Sequence, residues 1–334
     1  MSQLAGAKLL ITGGTGSFGR AFVRHALDEL QLGSIVVYSR DEWKQLEMAR
    51  SVADGRVSYV LGDVRDKERL REAMQGVDLV VHAAALKQVP AAERQPREAV
   101  KTNILGALNV IDAAREAGVK KVIALSTDKA AHPINLYGAS KMVAEKLFIA
   151  ANAEEAAGKT RFAVVRYGNV IASRGSVIPL FLEQRERGVI TLTHPEMTRF
   201  WITLEQGARF VSGCLEAMQG GEVFVPKLPS ARIRDLARAI APGCRVEITG
   251  IRPGEKLHEV LITEDEAHRT LEFNGFFIVK PEIGSWDESV WRGGRSLPAG
   301  YRYASNTNPW MLSLDEIGKL LEAMGFAAHG PSGG

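Results

Sequence analysis

The sequence predicts an α/β fold, a doubly wound parallel sheet combined with a smaller domain that is discontinuous in the chain. Three observations support this prediction: apolar runs alternate with stretches of helical spacing, a glycine-rich turn follows the first apolar run, and the alternation becomes irregular after Asn169. Strands that are apolar along their whole length are typical of parallel sheets covered by helices on both faces. The length of 334 residues agrees with about two domains.

Apolar runs of strand length predict these buried strands in chain order: Lys8 to Thr12, Ser34 to Ser39, Val57 to Leu61, Leu79 to Ala83, Lys121 to Ser126 and Phe162 to Val170. Helical spacing predicts these helices between and after them: Gly19 to Leu30, Glu42 to Val52, Lys67 to Met74, Glu98 to Ala117 and Tyr137 to Ala157. Pro96 is suited to open the fourth of these helices, and Gly118 is suited to end it.

The predicted domain division follows from where this alternation stops and resumes. Residues 1–170 form the first domain, and 204–226 are expected to return to it because another helix and another strand are predicted there. Residues 171–203 and 227–328 form the second domain, whose irregular segments are suited to binding. The Gly-rich end, 329–334, is expected to be a disordered tail.

Composition excludes several classes of function. Lys and Arg total 42 against 39 acidic residues, with no long run of one sign, so nothing favours binding to nucleic acid or to a membrane surface. No segment approaches the ~20 apolar residues of a membrane span, and the start lacks a secretory signal, so a soluble cytoplasmic protein is expected. Cys214 and Cys244 lie in dissimilar contexts and predict neither a disulfide framework nor a metal site.

The glycine-rich turn predicts a dinucleotide site of the Rossmann type. Glycines spaced by three residues follow a predicted strand and precede a predicted helix, the context in which a pyrophosphate approaches backbone N–H groups. A glycine-rich turn without a ligand is the alternative, but its context favours the binding site. The expected contacts from this turn are Gly13, Thr15, Gly16, Ser17, Phe18 and Gly19.

The residues after the second strand favour NADP over NAD. Ser39, Arg40 and Lys44 stand where an NAD enzyme usually presents a carboxylate to the ribose, and they would suit a 2′-phosphate. Asp41 leaves an alternative open, since it could bind the ribose itself or could cap a helix.

Two further segments are expected to contact the same cofactor. Asp63 and Val64, after the third strand, suit the edge of the adenine. Ala83 and Ala84 are small enough to let the cofactor lie close to the chain.

A cluster of reactive residues follows the fifth predicted strand. Thr127, Asp128 and Lys129 fall at its carboxyl end, where open α/β sheets place their ligands. Tyr137 and Lys141 stand four residues apart on a predicted helix and so share one face, where the lysine could lower the phenol pKa and hold ribose hydroxyls. Each pair alone is more often a surface feature, but their combination behind a dinucleotide motif favours catalysis.

Eight stretches between about Lys8 and about Pro281 carry a family resemblance: TGGTGSFG, YSRDEWKQ, HAAALKQVPAAE, KTNILGALNV, STDKAAHPINLYGASK, VRYGNVIASRGSVIP, MTRFWIT and IRPGEKLHE. In these stretches the chain resembles the extended short-chain dehydrogenase/reductase family, and within it the inverting UDP-N-acetylglucosamine 4,6-dehydratases of pseudaminic acid biosynthesis. The resemblance implies an NADP cofactor, UDP-N-acetylglucosamine as the small-molecule substrate, and a homo-oligomer.

The resemblance also implies a mechanism. Tyr137 would take the proton of the 4-hydroxyl as hydride passes to NADP⁺, and the ketone would acidify the proton on carbon 5. Lys129, if held neutral, would remove that proton, while Asp128, held protonated, would donate to the departing 6-hydroxyl. Hydride return to carbon 6 would give a 4-keto-6-deoxy sugar, and inversion at carbon 5 is implied by the resemblance alone. Related hexose dehydratases carry Asp-Glu at this dipeptide, and epimerases of the family carry small hydroxyl residues there.

The resemblance assigns further residues to the substrate, each with a structural alternative. Lys87 and Asn169 would contact the sugar nucleotide, although one could be a surface cation and the other a turn-capping amide. Arg252 and Glu255 would engage the nucleotide part, unless their segment is only a turn. Further expected contacts are Thr127, which could equally be a plain strand end, Thr198, and Arg199, which could form a local salt bridge instead.

Two competing hypotheses remain. An NADP-dependent nucleotide-sugar 4-epimerase or reductase would use Tyr137 and Lys141 but would not need Asp128 and Lys129. A non-catalytic NADP-sensing module would keep only the glycine turn. The presence of the tyrosine and lysine pair argues against the second hypothesis.

Overall fold

The computed structural model describes residues 4–153, 160–171, 176–284 and 286–326. The predicted tail at 329–334 lies outside them. The helices of the described residues are α1 (Ser17–Glu29), α2 (Glu42–Ser51), α3 (Lys67–Ala73), α4 (Val89–Arg94), α5 (Pro96–Val100), α6 (Gly106–Glu116), α7 (Leu136–Ala150), α8 (Val177–Arg185), α9 (Leu204–Ala217), α10 (Ile233–Ile240) and α11 (Leu314–Ala323).

The strands of the described residues are β1 (Lys8–Thr12), β2 (Ser34–Ser39), β3 (Val57–Leu61), β4 (Leu79–His82), β5 (Lys121–Thr127), β6 (Arg161–Tyr167), β7 (Asn169–Val170), β8 (Val189–Leu192), β9 (Thr198–Ile202), β10 (Val223–Pro226), β11 (Ser230–Arg232), β12 (Arg245–Ile248), β13 (Val260–Ile262), β14 (Thr270–Glu272), β15 (Phe276–Val279), β16 (Arg295–Ser296) and β17 (Tyr303–Ala304).

The predicted doubly wound sheet is confirmed. In the described residues its strands run in the order β3-β2-β1-β4-β5-β6-β10-β15-β14-β16, and all pairings from β3 to β10 are parallel. The strand order reverses direction between β1 and β4. In sheets of this kind, ligands bind in the crevice beyond the carboxyl ends of the strands at that reversal.

Buried apolar runs are the reason that the strands could be located from the sequence. The first three strands have the predicted bounds, and the next two differ from them by one residue. The sixth predicted strand divides at Gly168 into β6 and β7. A Cβ at Gly168 would lie 2.5 Å from Phe200 Cβ, so this glycine lets the chain leave the sheet against a neighbouring side chain.

The predicted helix from Glu98 to Ala117 is interrupted by a π-helical turn, Lys101–Leu105, which joins α5 to α6. Asn103 in this turn accepts a hydrogen bond from the Leu86 N–H at 2.8 Å and donates to the Ser140 hydroxyl at 2.9 Å. Single π-helical turns occur often at functional sites. This one fixes the loop after β4 to α7, and both border the cleft described below.

The chain beyond Asn169 contributes to two apolar cores. A separate core is formed mainly by α8, β8, α10 and α11, with Phe181, Trp201 and Leu236 among its buried side chains. The segment 204–226 returns to the large sheet, where β10 pairs with β6. Part of 227–328 also extends that sheet through β14, β15 and β16. The division into domains therefore stays a prediction. The range 227–328, which was assigned to the second domain, contains strands of the large sheet.

Within the described ranges, the helices are all too short or too polar to cross a membrane.

Gly19 allows a stability test of the glycine turn. A Cβ at Gly19 would lie 2.4 Å from the Gly14 carbonyl oxygen, so Gly19→Ala should lower the free energy of unfolding by about 1–3 kcal/mol through overpacking. Thermal unfolding of the protein without ligand measures the change.

Gly213→Ala is the matched control for that substitution. Gly213 is exposed within α9 and a Cβ there would meet nothing within 4 Å, so alanine should stabilise the helix by about 0.5–1 kcal/mol. A Gly19→Ala protein that unfolds at or above the original temperature would contradict the close contact of α1 with the turn.

Candidate active site

A cleft of about 640 Å³ lies at the carboxyl ends of the parallel strands, on both sides of the reversal in strand order. Every residue expected to contact the cofactor lines it: Gly13, Thr15, Gly16, Ser17, Phe18, Gly19, Ser39, Arg40, Lys44, Asp63, Val64, Ala83, Ala84, Tyr137 and Lys141. Pockets of this size suit small molecules. The fold thus brings together the predicted dinucleotide turn and the predicted catalytic residues.

The glycine turn has the backbone geometry of an anion-binding loop. Gly13 has a φ of 66°, and a Cβ there would lie 2.9 Å from Ala84 Cα, so the turn passes directly over the end of β4. Gly16 precedes α1, whose first turn carries no acidic residue. The N-terminus of a helix favours negative charge, so the turn fits the pyrophosphate of a dinucleotide.

Arg40 and Lys44 form the basic rim of the cleft beside β2. The Arg40 side chain is 58% exposed and its Nη1 atom lies 3.8 Å from Asp63 Oδ2. Asp41 caps α2, because its Oδ1 accepts a hydrogen bond from the Lys44 N–H at 3.0 Å, and its Oδ2 pairs with the Lys44 ammonium. Of the two roles open for Asp41, the structure thus shows helix capping.

The catalytic candidates share one wall of the cleft. Thr127, Lys129, Tyr137 and Lys141 line it, while Asp128 lies fully buried behind them. The Thr127 hydroxyl donates to Asp128 Oδ1 at 2.9 Å, and the Lys129 ammonium donates to the same oxygen at 3.0 Å. Asp128 Oδ2 is buried and has no hydrogen-bond partner among the described residues.

Glu259 is the residue of this cluster that the sequence analysis missed. Its Oε1 lies 3.1 Å from Lys129 Nζ, and its side chain is 2% exposed. Arg199 Nε lies 3.8 Å from the same oxygen, and Lys256 Nζ lies 3.7 Å from Oε2. The only sequence signal was its place in the stretch IRPGEKLHE, where the resemblance assigned other residues.

The buried charges determine which groups hold protons. Burial raises the pKa of Asp128, and the nearby charge of Glu259 raises it further, against the effect of Lys129. Burial acts to lower the pKa of Lys129, but the carboxylates of Asp128 and Glu259 outweigh it and raise that pKa. Lys129 is therefore an ammonium in this arrangement, whereas the mechanism that the resemblance implies needs it as a neutral amine.

Tyr137 and Lys141 are both buried at the start of α7. Burial raises the pKa of the Tyr137 phenol, while the Lys129 charge and a hydrogen bond with Thr127 act to lower it. Burial lowers the pKa of Lys141 to about 8, with Glu145 opposing. The charge on Lys141 is thus poised near neutral pH, and the phenol has a cation and a hydroxyl beside it.

The start of α7 packs tightly against the turn that carries Lys129. A Cβ at Gly138 would lie 2.1 Å from the Lys129 carbonyl oxygen, so only glycine allows this approach. Asn135 caps the helix by accepting from the Gly138 N–H at 2.8 Å, and it donates to the Gly254 carbonyl at 2.7 Å. The helix with Tyr137 is therefore fixed to the turn and to the segment that leads to Glu259.

The expected substrate contacts fall into two groups. Lys87 and Asn169 line the cleft, whereas Thr198, Arg199, Arg252 and Glu255 are not part of its lining. These assignments stay predictions.

The structure gives Arg199 and Thr198 clear packing partners. Arg199 is buried, donates to the Lys256 and Leu257 carbonyls at 2.8 and 3.1 Å, and lies 3.6 Å from Glu255. Thr198 is buried and hydrogen-bonds His258 at 2.9 Å. Arg252 is exposed. The local salt bridge that was the alternative for Arg199 is thus present.

Ser126 and Trp201 were not predicted to be site residues. Both line the cleft, and the Ser126 hydroxyl and the Trp201 indole nitrogen are buried with no hydrogen-bond partner in the described parts of the chain. Buried polar groups are normally hydrogen-bonded, so these atoms suit a ligand in the cleft. The stretches that contain them, STDKAAHPINLYGASK and MTRFWIT, were the available sequence signal.

Comparison with known proteins agrees with this site. A UDP-N-acetylglucosamine 4,6-dehydratase (inverting) of Campylobacter jejuni serotype O:2 is 49% identical over 322 residues, which cover 94% of this chain and 96% of that protein. A UDP-glucose 4-epimerase of Rickettsia akari is 40% identical over 328 residues, covering 95% of this chain and 96% of the epimerase.

Structural comparison extends the likeness to the whole fold. The X-ray structure of Pen from Bacillus thuringiensis matches with a TM-score of 0.90 and 36% identity, covering 97% of this chain and 99% of Pen. The family model described as polysaccharide biosynthesis protein matches residues 9–281. The chain therefore belongs to this polysaccharide biosynthesis protein family, among the extended short-chain dehydrogenases/reductases that its motifs resemble.

Proposed function

We propose that this protein is an NADP-dependent UDP-N-acetylglucosamine 4,6-dehydratase that inverts carbon 5. The observation that carries the proposal is the hydrogen bond between Lys129, which lines the cleft beside Tyr137, and Asp128, which is buried behind that wall. A carboxyl and an amine in contact supply the acid and base that elimination of water needs. The dehydratase relative at 49% identity supports the same reaction and the same substrate.

The glycine turn and the residues that line the adjacent cleft would hold the nicotinamide cofactor, which supplies reversible hydride acceptance when bound. Two features support NADP rather than NAD. Arg40 and Lys44 place positive charge on the rim of the cleft, where a 2′-phosphate would need it. The carboxylate of Asp41 is engaged by Lys44 and by the N-terminus of α2, which supports helix capping rather than ribose binding as its role.

The proposed elimination depends on one proton shared between Asp128 and Lys129. Shifting the proton of Lys129 along their 3.0 Å hydrogen bond turns an ion pair into a neutral amine and a neutral carboxyl. The amine then takes the proton from carbon 5, and the carboxyl gives its proton to the 6-hydroxyl, which leaves as water. The raised pKa of Asp128 supports its role as the acid.

Tyr137 is the proposed proton acceptor for the 4-hydroxyl of the sugar. The positive charge of Lys129 and a hydrogen bond with Thr127 both stabilise the ionised form of its phenol. Lys141, one helical turn further, would bind the ribose of the cofactor. Lys87 and Asn169, which line the same cleft, remain the proposed contacts to the sugar nucleotide.

The product would be UDP-2-acetamido-2,6-dideoxy-β-L-arabino-hex-4-ulose, and the reaction would be the first step of a pseudaminic acid-type sugar pathway. A cytoplasmic homo-oligomer is also proposed. The proposed inversion is supported by the Campylobacter jejuni relative, whose name describes that enzyme as inverting. The pathway, the location and the assembly rest on the sequence resemblance alone.

A 4-epimerase is the second candidate, because relatives at 38–44% identity carry that name. An epimerase would need Tyr137 and the cofactor but would give Asp128 and Lys129 no proton to move. The buried acid and base pair is therefore the feature that favours dehydration.

Incubation of the purified protein with UDP-N-acetylglucosamine should give a product that has lost one water, because the site holds both an acid and a base for elimination. Mass spectrometry measures the loss, and NMR of the product reports the configuration at carbon 5. An unchanged mass with the 4-epimer present would establish the epimerase instead. NADP binding without any turnover would favour the non-catalytic module.

Lys129→Ala should lower kcat by about 10²-fold or more, because it removes the proposed base. The affinity for NADP should stay nearly unchanged, since the glycine turn is untouched. Lys120→Ala is the control, because this exposed lysine pairs with Asp78 away from the cleft and should leave kcat unchanged. Full activity of the Lys129 variant would remove this residue from the mechanism.

Arg40→Ala should weaken binding of NADPH about tenfold relative to NADH, because only the former offers a 2′-phosphate to the guanidinium. Fluorescence titration with both cofactors gives the two affinities. Arg50→Ala is the matched control, since Arg50 is exposed on α2 and does not line the cleft. An unchanged ratio of the two affinities in the Arg40 variant would contradict the proposed preference.

A further inference from the structure

Glu259 has no role in the mechanism described so far, yet it contacts the proposed base directly. Its Oε1 lies 3.1 Å from Lys129 Nζ, nearly as close as the Asp128 oxygen at 3.0 Å. The Lys129 ammonium is therefore held between two buried carboxylates. Lys129 is the nearest of the three cations around Glu259, since Arg199 Nε lies 3.8 Å from Oε1 and Lys256 Nζ lies 3.7 Å from Oε2.

The backbone holds Glu259 in place independently of its charge. The Glu259 N–H donates to the Ser305 hydroxyl at 3.0 Å, and the Ser305 N–H donates to the Glu259 carbonyl at 2.9 Å. These bonds continue into the pairing of β13 with β17. A glutamine at this position keeps the same shape and the same backbone bonds, so the charge can be removed without removing the anchor.

We infer that Glu259 is a positioning residue for the elimination step: it fixes the Lys129 amine against Asp128 and sets the pH range in which this pair works. The inference rests on the proposed dehydratase function and deepens it. Glu259 is buried and does not line the cleft, whereas Lys129, which it contacts, does. It acts through Lys129.

Glu259, Arg199 and Lys256 are the charged groups that face this pair, and the Tyr137 phenol is a further titratable group beside it. Glu259 raises the pKa of Lys129 and of Asp128, while Arg199 acts to lower that of Lys129. The pKa of Glu259 itself is lowered, because Lys129, Arg199 and Lys256 together outweigh the effect of burial. Glu259 is therefore ionised over the whole pH range in which the pair works. Its negative charge raises the pKa of the base, Lys129, and the pKa of the acid, Asp128.

The sign of the expected pH effect follows from these directions. The working pair holds one proton, so the rate should fall on the acidic side where the pair gains a second proton and on the alkaline side where it loses its proton. Removing the Glu259 charge lowers both pKa values, so both limbs should move to lower pH.

The test is the pH profile of kcat/KM for dehydration in Glu259→Gln. Both limbs should move to lower pH by about one unit, as expected for the loss of one charge at this distance. Glu259→Asp keeps the charge and should keep the limbs in place while lowering kcat. Glu264→Gln is the control, because this partly exposed carboxylate pairs with Arg302 and does not line the cleft, so its profile should match that of the unsubstituted protein.

Limbs that stay in place in Glu259→Gln, with only kcat or the melting temperature reduced, would overturn the inference and leave Glu259 a structural residue. A second measurement separates this result from failure of the proposed function. The side chain of Lys129 is 24% exposed and lines the cleft, so its acetylation by acetic anhydride can be followed against pH by peptide mass spectrometry. Glu259→Gln should move the onset of acetylation to lower pH even if the protein does not dehydrate UDP-N-acetylglucosamine, and an unmoved onset would also overturn the inference.

Discussion

The ammonium of Lys129 holds together parts of the chain that the sheet alone does not join. It bridges the carboxyl end of β5, through Asp128, and the segment before β13, through Glu259. Removing charges from water is costly, and further partners offset part of that cost. Arg199 and Lys256 lie beside Glu259, and the Thr127 hydroxyl donates to Asp128, so each carboxylate has a partner besides Lys129. The reactive pair is therefore also a structural junction.

The parallel sheet makes such a junction possible because it presents many strand ends at one edge. The glycine turn after β1, the basic rim after β2 and the reactive turn after β5 meet in one cleft for this reason. The π-helical turn adds a fixed connection, since Asn103 ties the loop after β4 to α7. The irregular second half of the chain then covers the same edge with Trp201 and with the segment that carries Glu259.

The features that depend on a short stretch of sequence could be predicted from that stretch. Buried strands are continuous apolar runs, so β1 to β5 could be located to within one residue, and the spacing of Tyr137 and Lys141 correctly placed both on one helix. The contact of Glu259 with Lys129 depends on how distant segments pack, and no local pattern encodes it. Arg199 shows the same limit: the sequence left open a substrate contact or a local salt bridge, and its burial against Lys256 and Leu257 depends on distant packing.

Gly138 has a consequence for how this site can diversify. With its α-carbon pressed against the Lys129 carbonyl, the phenol, the amine and the buried carboxyl form one rigid block from Thr127 to Lys141. Any side chain at position 138 would separate its halves, so this backbone contact has to be kept, while the residues at 128 and 129 can change with the chemistry. New sugar specificities would then have to arise from the walls around this backbone, so relatives with different substrates should share the close approach at Gly138 and vary in its surroundings.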